Sequence, residues 1–151
     1  MKILLLLSLL VTSAFARNVQ EWNLPSSKLA VQGYDVVSYF NDSGPEKGSY
    51  LHELNHEGVL YKFSSQQNLN EFLSEPNKYE PAHGGWCATA MASGQKIAIN
   101  PLKYVIEGKR LFLFSFLNGA DARVMWLQNP ARLERRADFN WKRISGEDPR
   151  K

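Results

Sequence analysis

The sequence predicts an α+β fold: a small single domain in which antiparallel strands and hairpins pack with three to four short helices. Segments rich in β-branched and aromatic residues alternate with short segments that carry helix-cap signals. They follow one another without the regular alternation that a parallel βαβ sheet requires. With 151 residues, 44% of them hydrophobic and 22% charged, the chain has the size and composition of one globular domain.

Residues 1–16 have the pattern of a secretory signal peptide. Lys2 supplies the positive charge, Ile3–Val11 is apolar except for Ser8, and Ala14–Ala16 fits the small-x-small cleavage rule. The apolar run is about half of the roughly 20 residues that a membrane span needs. We therefore predict cleavage after Ala16, a periplasmic or secreted location, and no transmembrane segment in the mature chain.

The mature chain divides by composition into an N-terminal arm (17–29), a domain (30–145) and a polar tail (146–151). In the first half of the domain, Val31–Phe40 favours a strand, and Asn41–Gly48 is a turn because of its Asn, Asp, Ser, Gly and Pro residues. Tyr50–Leu54 and Val59–Phe63 are predicted to pair as a hairpin.

A helix is predicted from the form of a capping box at Ser64-x-x-Gln67 up to about Ser74, before Pro76. Further along the chain the predicted elements are a helix at Trp86–Ala92, strands at Ile97–Ile99, Tyr104–Ile106 and Leu111–Phe116, and helices at Gly119–Gln128 and Ala131–Trp141. Asn129 and Pro130 separate the last two helices as a cap and a first-turn proline. No internal repeat is evident in the sequence.

Cys87 is the single cysteine, which excludes an intramolecular disulfide framework and a CxxC metal site. In His83-Gly84-Gly85-Trp86-Cys87, the glycines allow a close approach of the backbone, and a cysteine in a first helical turn is favoured as a thiolate. A thiolate binds soft metals such as Cu(I) or Zn(II), with His83 as an auxiliary ligand. The alternative is that Cys87 is a small buried hydrophobe.

Other residues near this motif are candidates for a binding pocket. Tyr34, Asp35 and Tyr79 offer polar groups that can line a pocket beside Trp86. Each has a structural alternative, since tyrosine rings are common in cores and Asp35 can cap a turn. Met91 is four residues after Cys87, but a methionine in an apolar helix is more often a core residue.

Two further groups are predicted to be solvated. His52 and His56 have metal-ligand spacing only on a helix, and the hairpin signals place them in a turn. The C-terminal basic residues are interpreted as a solvated helix face with Glu134 and Asp138 interspersed, the alternative being contact with anionic lipid or a partner. These basic residues are Arg132, Arg135, Arg136, Lys142 and Arg143.

Several motifs, in this order, resemble those of the YHS domain family. They are Gly33–Phe40 (GYDVVSYF), Gly58–Ser65 (GVLYKFSS), Pro76–Pro81 (PNKYEP), Gly84–Ala88 (GGWCA) and Asp138–Trp141 (DFNW). The chain is similar to the longer, exported bacterial members. The resemblance implies a compact α+β domain outside the cytoplasm, but the additional cysteines of shorter metal-binding relatives are absent.

Three functions remain open at this stage. The first is a small exported binding protein for a soft metal (copper or zinc) or a small ligand at the GGWC motif. The second is a thiol-based redox or catalytic protein that uses Cys87, and the third is an interaction module without a metal. The sequence has no Ser-His-Asp order, phosphate-binding glycine loop or HExxH motif, so an enzyme is disfavoured. A net charge of +3 is too small to indicate a nucleic-acid partner.

Overall fold

The α+β prediction is confirmed by the computed structural model, which describes residues 17–151. The signal-peptide prediction lies outside the described residues. None of the helices within 17–151 is long and apolar enough to cross a membrane. The described α-helices number five rather than three to four: α1 (Gln66–Ser74), α2 (Pro76–Tyr79), α3 (Ala88–Met91), α4 (Arg123–Trp126) and α5 (Pro130–Ser145).

The strands form antiparallel pairs, as predicted. The described residues contain three two-stranded sheets: β1 (Ser49–His56) with β2 (Val59–Phe63), β3 (Asn100–Glu107) with β4 (Arg110–Phe114), and β5 (Phe116–Leu117) with β6 (Ala120–Asp121). Buried aromatic side chains from the first two hairpins and from the helices fill the core between them: Tyr61, Phe63, Phe72, Phe112, Phe114, Trp126 and Trp141.

The first two hairpins follow one backbone plan. Each pairs an eight-residue strand with a five-residue strand, and each has a two-residue turn in which both residues have positive φ. Their registers correspond pair by pair, and the irregularity falls at the same place in both. The equivalent pairs include Ser49↔Phe63 with Asn100↔Phe114, and His56↔Val59 with Glu107↔Arg110.

The segments that precede the two hairpins also correspond. Val31, Gln32 and Gly33 have φ of 47°, 53° and 82°, and His83, Gly84 and Gly85 have φ of 55°, 62° and 80°. Residues just before each turn make parallel bridges to the hairpins, Leu29 to Leu60 and Pro81 to Leu111. The structure therefore contains an internal repeat, although none is evident in the sequence. The repeat lies in backbone geometry, which the different side chains at equivalent positions conceal.

Several predicted element boundaries are corrected. Val31–Phe40 is not a strand, because the left-handed turn at Val31–Gly33 and a 3₁₀ turn at Ser38–Phe40 bend the chain. Segment 97–99 precedes β3 without being a strand, and within 119–128 only α4 is helical, since Ala120–Asp121 pairs as β6.

Helix boundaries are also refined. The N-cap of α1 is Ser65, which accepts from Asn68 N, and not Ser64. The helix predicted at 86–92 is the single turn α3, with Cys87 as its N-cap residue. The N-terminus of α5 is as predicted: Asn129 accepts from Arg132 N, and Pro130 is the first helical residue.

The terminal segments pack onto the domain. Trp22 of the arm is 5% exposed and makes an edge contact with Trp141 at 6.4 Å between ring centroids. Its Nε1 donates to Glu147 in the tail at 2.9 Å. The arm and the tail therefore meet each other beside α5, next to the Gly84–Gly85 turn.

Candidate functional site

The thiol of Cys87 lies in the core. The residue is 1% exposed, its backbone N–H donates to Ile97 O at 3.0 Å, and Ser115 Oγ donates to its Sγ at 3.5 Å. Cys87 does not line the cavities that border His83, Tyr34 or Ser115. Met91 is fully buried as well. The structure therefore places both sulfur atoms among packed side chains, away from those cavities.

The glycine doublet approaches protein groups closely. A Cβ on Gly84 would lie 2.5 Å from Trp141 Cη2 and 3.1 Å from Trp22 Cγ. The carbonyl oxygens of Gly84 and Gly85 accept from the backbone N and the side-chain Nδ2 of Asn23, each at 2.9 Å. Trp86 is half-buried and its Nε1 donates to Glu21 O at 2.6 Å. These residues therefore dock the N-terminal arm.

His83 is the residue of the motif that has a buried polar atom without a hydrogen-bond partner among the described residues. It is 2% exposed, and its Nε2 lies 2.9 Å from Asp138 Oδ1. Its Nδ1 is buried and has no hydrogen-bond partner among the described residues. Its φ of 55° is in the left-handed region, which side-chain-bearing residues seldom adopt.

The protonation state of the pair follows from the two environments. Burial lowers the pKa of His83 below 6.5, and the hydrogen bond to Asp138 only partly offsets this. Burial raises the pKa of Asp138, but hydrogen bonds from His83 and Arg110 outweigh it and hold the value at about 2. At neutral pH a neutral imidazole thus donates from Nε2 to an ionised carboxylate, which leaves a lone pair on Nδ1.

Asp138 belongs to a larger charged network. Arg110 donates to both of its oxygens, at 2.9 and 3.2 Å, and also to Glu134 and to Pro149 O. Arg150 contacts Asp138 and Glu134 from the tail. Bidentate arginine–carboxylate pairs hold a defined orientation. The network therefore fixes the Asp138 carboxylate against His83.

A cavity of about 50 Å³ borders this network. Its lining includes His83, Gly84, Glu80, Arg110, Trp22 and Trp141, with tail residues Glu147 and Asp148. Pockets for drug-sized ligands have roughly 300–1,000 Å³. This cavity therefore suits an ion, a water molecule or a molecule of a few heavy atoms.

A second charged cluster contains the three-residue metal-ligand group found within residues 17–151. Donor atoms of His56, Glu57 and Glu80 lie within 4.8 Å of one another. Arg17 already pairs with Glu80, at 2.6 and 2.8 Å, and with Glu57 at 2.8 Å. A guanidinium in contact with both carboxylates opposes a metal cation there. His52 and His56 lie on β1, not in a turn as predicted, and His56 packs against Phe72.

Asp35 is a structural hub. It is fully buried and its two oxygens accept five hydrogen bonds, from the backbone N atoms of Val37, Ser38 and Ser64 and from the side chains of Ser64 and Asn68. The acceptor capacity of the carboxylate is taken up by the protein. Asp35 therefore caps local turns and ties α1 to them, which is the structural alternative for this residue.

The two tyrosines lie apart from the His83 cavity. Tyr34 is half-buried under Lys47 and borders a different surface cavity, with Gln32 and Asn100. Tyr79 packs edge-on against Phe40, and its hydroxyl accepts from Lys78 at 3.0 Å. Of the eight residues predicted to form one site, the structure brings His83 and Gly84 to this cavity but does not bring Tyr34, Asp35, Tyr79, Gly85, Trp86 or Cys87 there.

Asp138, Arg110 and Glu80 were not predicted as site residues. They join His83 through contacts between residues far apart in the chain, such as His83 with Asp138 across 55 positions. The one indication in the sequence is the histidine directly before two glycines. In the structure these three residues form a left-handed turn, a conformation that residues with side chains rarely adopt. No family model, curated protein or solved structure matches the chain.

Proposed function

We propose that this chain is a small exported binding protein of the YHS type, and that it binds a small polar ligand in the His83 cavity. The unpartnered Nδ1 of His83 carries the proposal, because a buried acceptor without a partner costs free energy unless a donor completes it. The signal-peptide pattern of residues 1–16 supports the exported location, and the sequence motifs support the family resemblance.

The lining of the cavity restricts the chemistry of the ligand. In the proposed complex, His83 Nδ1 accepts from an N–H or O–H donor of the ligand. The Nε–H of Arg110, which the hydrogen bonds to Glu134, Asp138 and Pro149 leave unused, donates to an acceptor of the ligand. Glu147 and Asp148 add negative charge to the lining and Lys151 adds positive charge, while the carboxylate of Glu80 is already paired with Arg17. A neutral molecule of a few heavy atoms that has both a donor and an acceptor satisfies this lining.

Copper or zinc is the second candidate, on one observation. Metal-binding histidines usually donate their other ring N–H to a carboxylate, which is the relation of His83 to Asp138. This metal site differs from the one predicted from the sequence, because its ligand atom is His83 Nδ1 and not the buried Sγ of Cys87. Against this candidate, no cluster of three His, Cys, Asp or Glu donors within 17–151 includes His83.

Native mass spectrometry and elemental analysis of protein purified from the exported fraction test both candidates. The first predicts a stoichiometric small-molecule adduct without metal, and the second predicts one bound Cu or Zn per chain. His83→Asn should lose either, and it keeps the fold because asparagine tolerates positive φ.

His56→Asn is the matched control, since it removes an imidazole outside this cavity. It should retain the adduct. Wild-type protein that has no adduct and takes up neither Zn(II) nor Cu(I) would refute binding at His83 and leave the interaction-module function.

A further inference from the structure

The solvent-exposed face of α5 has only basic charges. Arg132, Arg135, Arg136 and Arg143 recur at the spacing of one helical face, with Lys142 at its edge, and all five are exposed. None of them makes an ion pair with a carboxylate among residues 17–151. We call this surface, together with Phe139, the basic face.

The acidic residues of α5 lie on the other side of the helix. Glu134 and Asp138 pair with Arg110 and Arg150, and Asp138 also accepts from His83. The basic residues are solvent-exposed, as predicted, but Glu134 and Asp138 are not interspersed among them on this face. The positive charge of the basic face is not neutralised within the described part of the chain.

Phe139 lies between the basic side chains of this face. Phe139 is 70% exposed, and it lines one shallow surface depression together with Arg132, Arg135 and Arg136. An anionic bilayer surface offers phosphates to the basic side chains and an apolar interior to the ring.

We propose that the basic face docks on an anionic phospholipid surface, with Phe139 entering the interfacial region. Lipid phosphates complement the unpaired arginines, and each basic residue near such a surface favours binding about fivefold. The exposed ring favours a bilayer over a hydrated polyanion, because a polyanion offers no apolar phase. The proposal is independent of the His83 cavity, which is on the other side of α5.

Sedimentation with vesicles tests this surface. The mature protein should bind vesicles of equal phosphatidylglycerol and phosphatidylcholine, and not phosphatidylcholine alone. Arg135→Glu with Arg136→Glu should weaken binding at least about tenfold, and high salt should do the same because it screens the charges. Phe139→Ser should weaken binding without changing its salt dependence.

Matched variants distinguish this face from general charge. Lys28→Glu with Lys109→Glu makes the same charge change at two exposed lysines elsewhere, and Leu73→Ser removes another exposed apolar side chain. Both should bind as wild type does. Equal binding to the two kinds of vesicle, or equal losses in the basic-face and control pairs, would overturn the proposal. So would full competition by poly-glutamate combined with no effect of Phe139→Ser, since a soluble polyanion would then be the partner.

Discussion

Asp35 and Cys87 occupy equivalent positions in the two copies of the backbone plan. Each comes two residues after the last glycine of a left-handed turn, and each donates its backbone N–H to the segment before the following hairpin, at 2.9 and 3.0 Å. Each also contacts the serine that follows the second strand, Ser64 or Ser115. Both residues connect a left-handed turn to the hairpin that follows it. Cys87 is buried because it makes these contacts between the two segments.

This equivalence predicts different costs for two alanine substitutions. Asp35→Ala removes the acceptor of five hydrogen bonds, and three of these donors have no second acceptor, so we expect a loss of about 4 kcal/mol in the free energy of unfolding. Cys87→Ala removes one sulfur atom and should cost only about 1 kcal/mol. Urea denaturation measures both. Equal costs would contradict the structural assignment of Asp35 as a hub.

The reactivity of the Cys87 thiol is a second prediction. Because the residue is 1% exposed, we expect iodoacetamide to leave it unmodified in the native protein at neutral pH and to modify it fully in urea. Mass spectrometry after timed alkylation measures this. Rapid alkylation of the folded protein would instead support the thiol-based redox function.

The hairpins were predictable from sequence because their signals are local. Two strand-forming segments with turn residues at 55–58 between them predict the pairing of β1 with β2. The predicted turn is too long, because β1 continues to His56 and only Glu57 and Gly58 form the connection. Segment 31–40 has an equally strong β-propensity, yet the consecutive left-handed residues Val31 and Gln32 and the hub at Asp35 override it. The β-propensity of a segment does not predict which of its residues have positive φ.

The site was less predictable than the fold. The motif led to a prediction at Cys87 because of the chemistry of its thiol, whereas the burial of the sulfur depends on contacts with distant strands that the motif does not show. Within the motif, the thiol of Cys87 packs against Ser115, whereas Nδ1 of His83 has no hydrogen-bond partner among the described residues. Only the folded contacts reveal that contrast.

The His83–Asp138 pair predicts a loss of stability in acid. The pKa of His83 is below 6.5 in the folded protein, so as the pH falls below 6.5 the unfolded chain binds a proton before the folded chain does. Stability should therefore fall from about pH 6.5 downward. A second decrease should begin below 3.8, as Asp138 protonates in the unfolded chain before it does so in the folded protein, at about 2.

Urea midpoints between pH 5 and pH 8 measure the first decrease. It should be reduced in His83→Asn and kept in His56→Asn. A wild-type profile that is flat between pH 5 and pH 6.5 would show that His83 is not held in its neutral form.

Arg17 is expected to stabilise the fold through Glu80. Its side chain is 2% exposed, and its removal leaves two carboxylates without their cation. Arg17→Met should cost about 3–5 kcal/mol, whereas the double variant Arg17→Met with Glu80→Leu should recover most of the loss. Thermal unfolding of the four proteins of this cycle measures the coupling. Additive effects would show that the pair makes no net contribution.

The close approach at Gly84 predicts the largest effect of a single methyl group. Gly84 has a φ of 62°, and an added Cβ would lie 2.5 Å from Trp141 and 3.1 Å from Trp22, two rings that also line the His83 cavity. Gly84→Ala should therefore cost about 3–4 kcal/mol in the free energy of unfolding, because strain in the backbone and overpacking add.

Gly108→Ala is the matched control, since Gly108 has a φ of 56° and nothing within 4 Å of an added Cβ. Its cost should be about 1 kcal/mol, from the backbone alone. If the two variants unfold at the same urea concentration, the tryptophans do not enclose Gly84 as described, and the cavity beside His83 loses one wall.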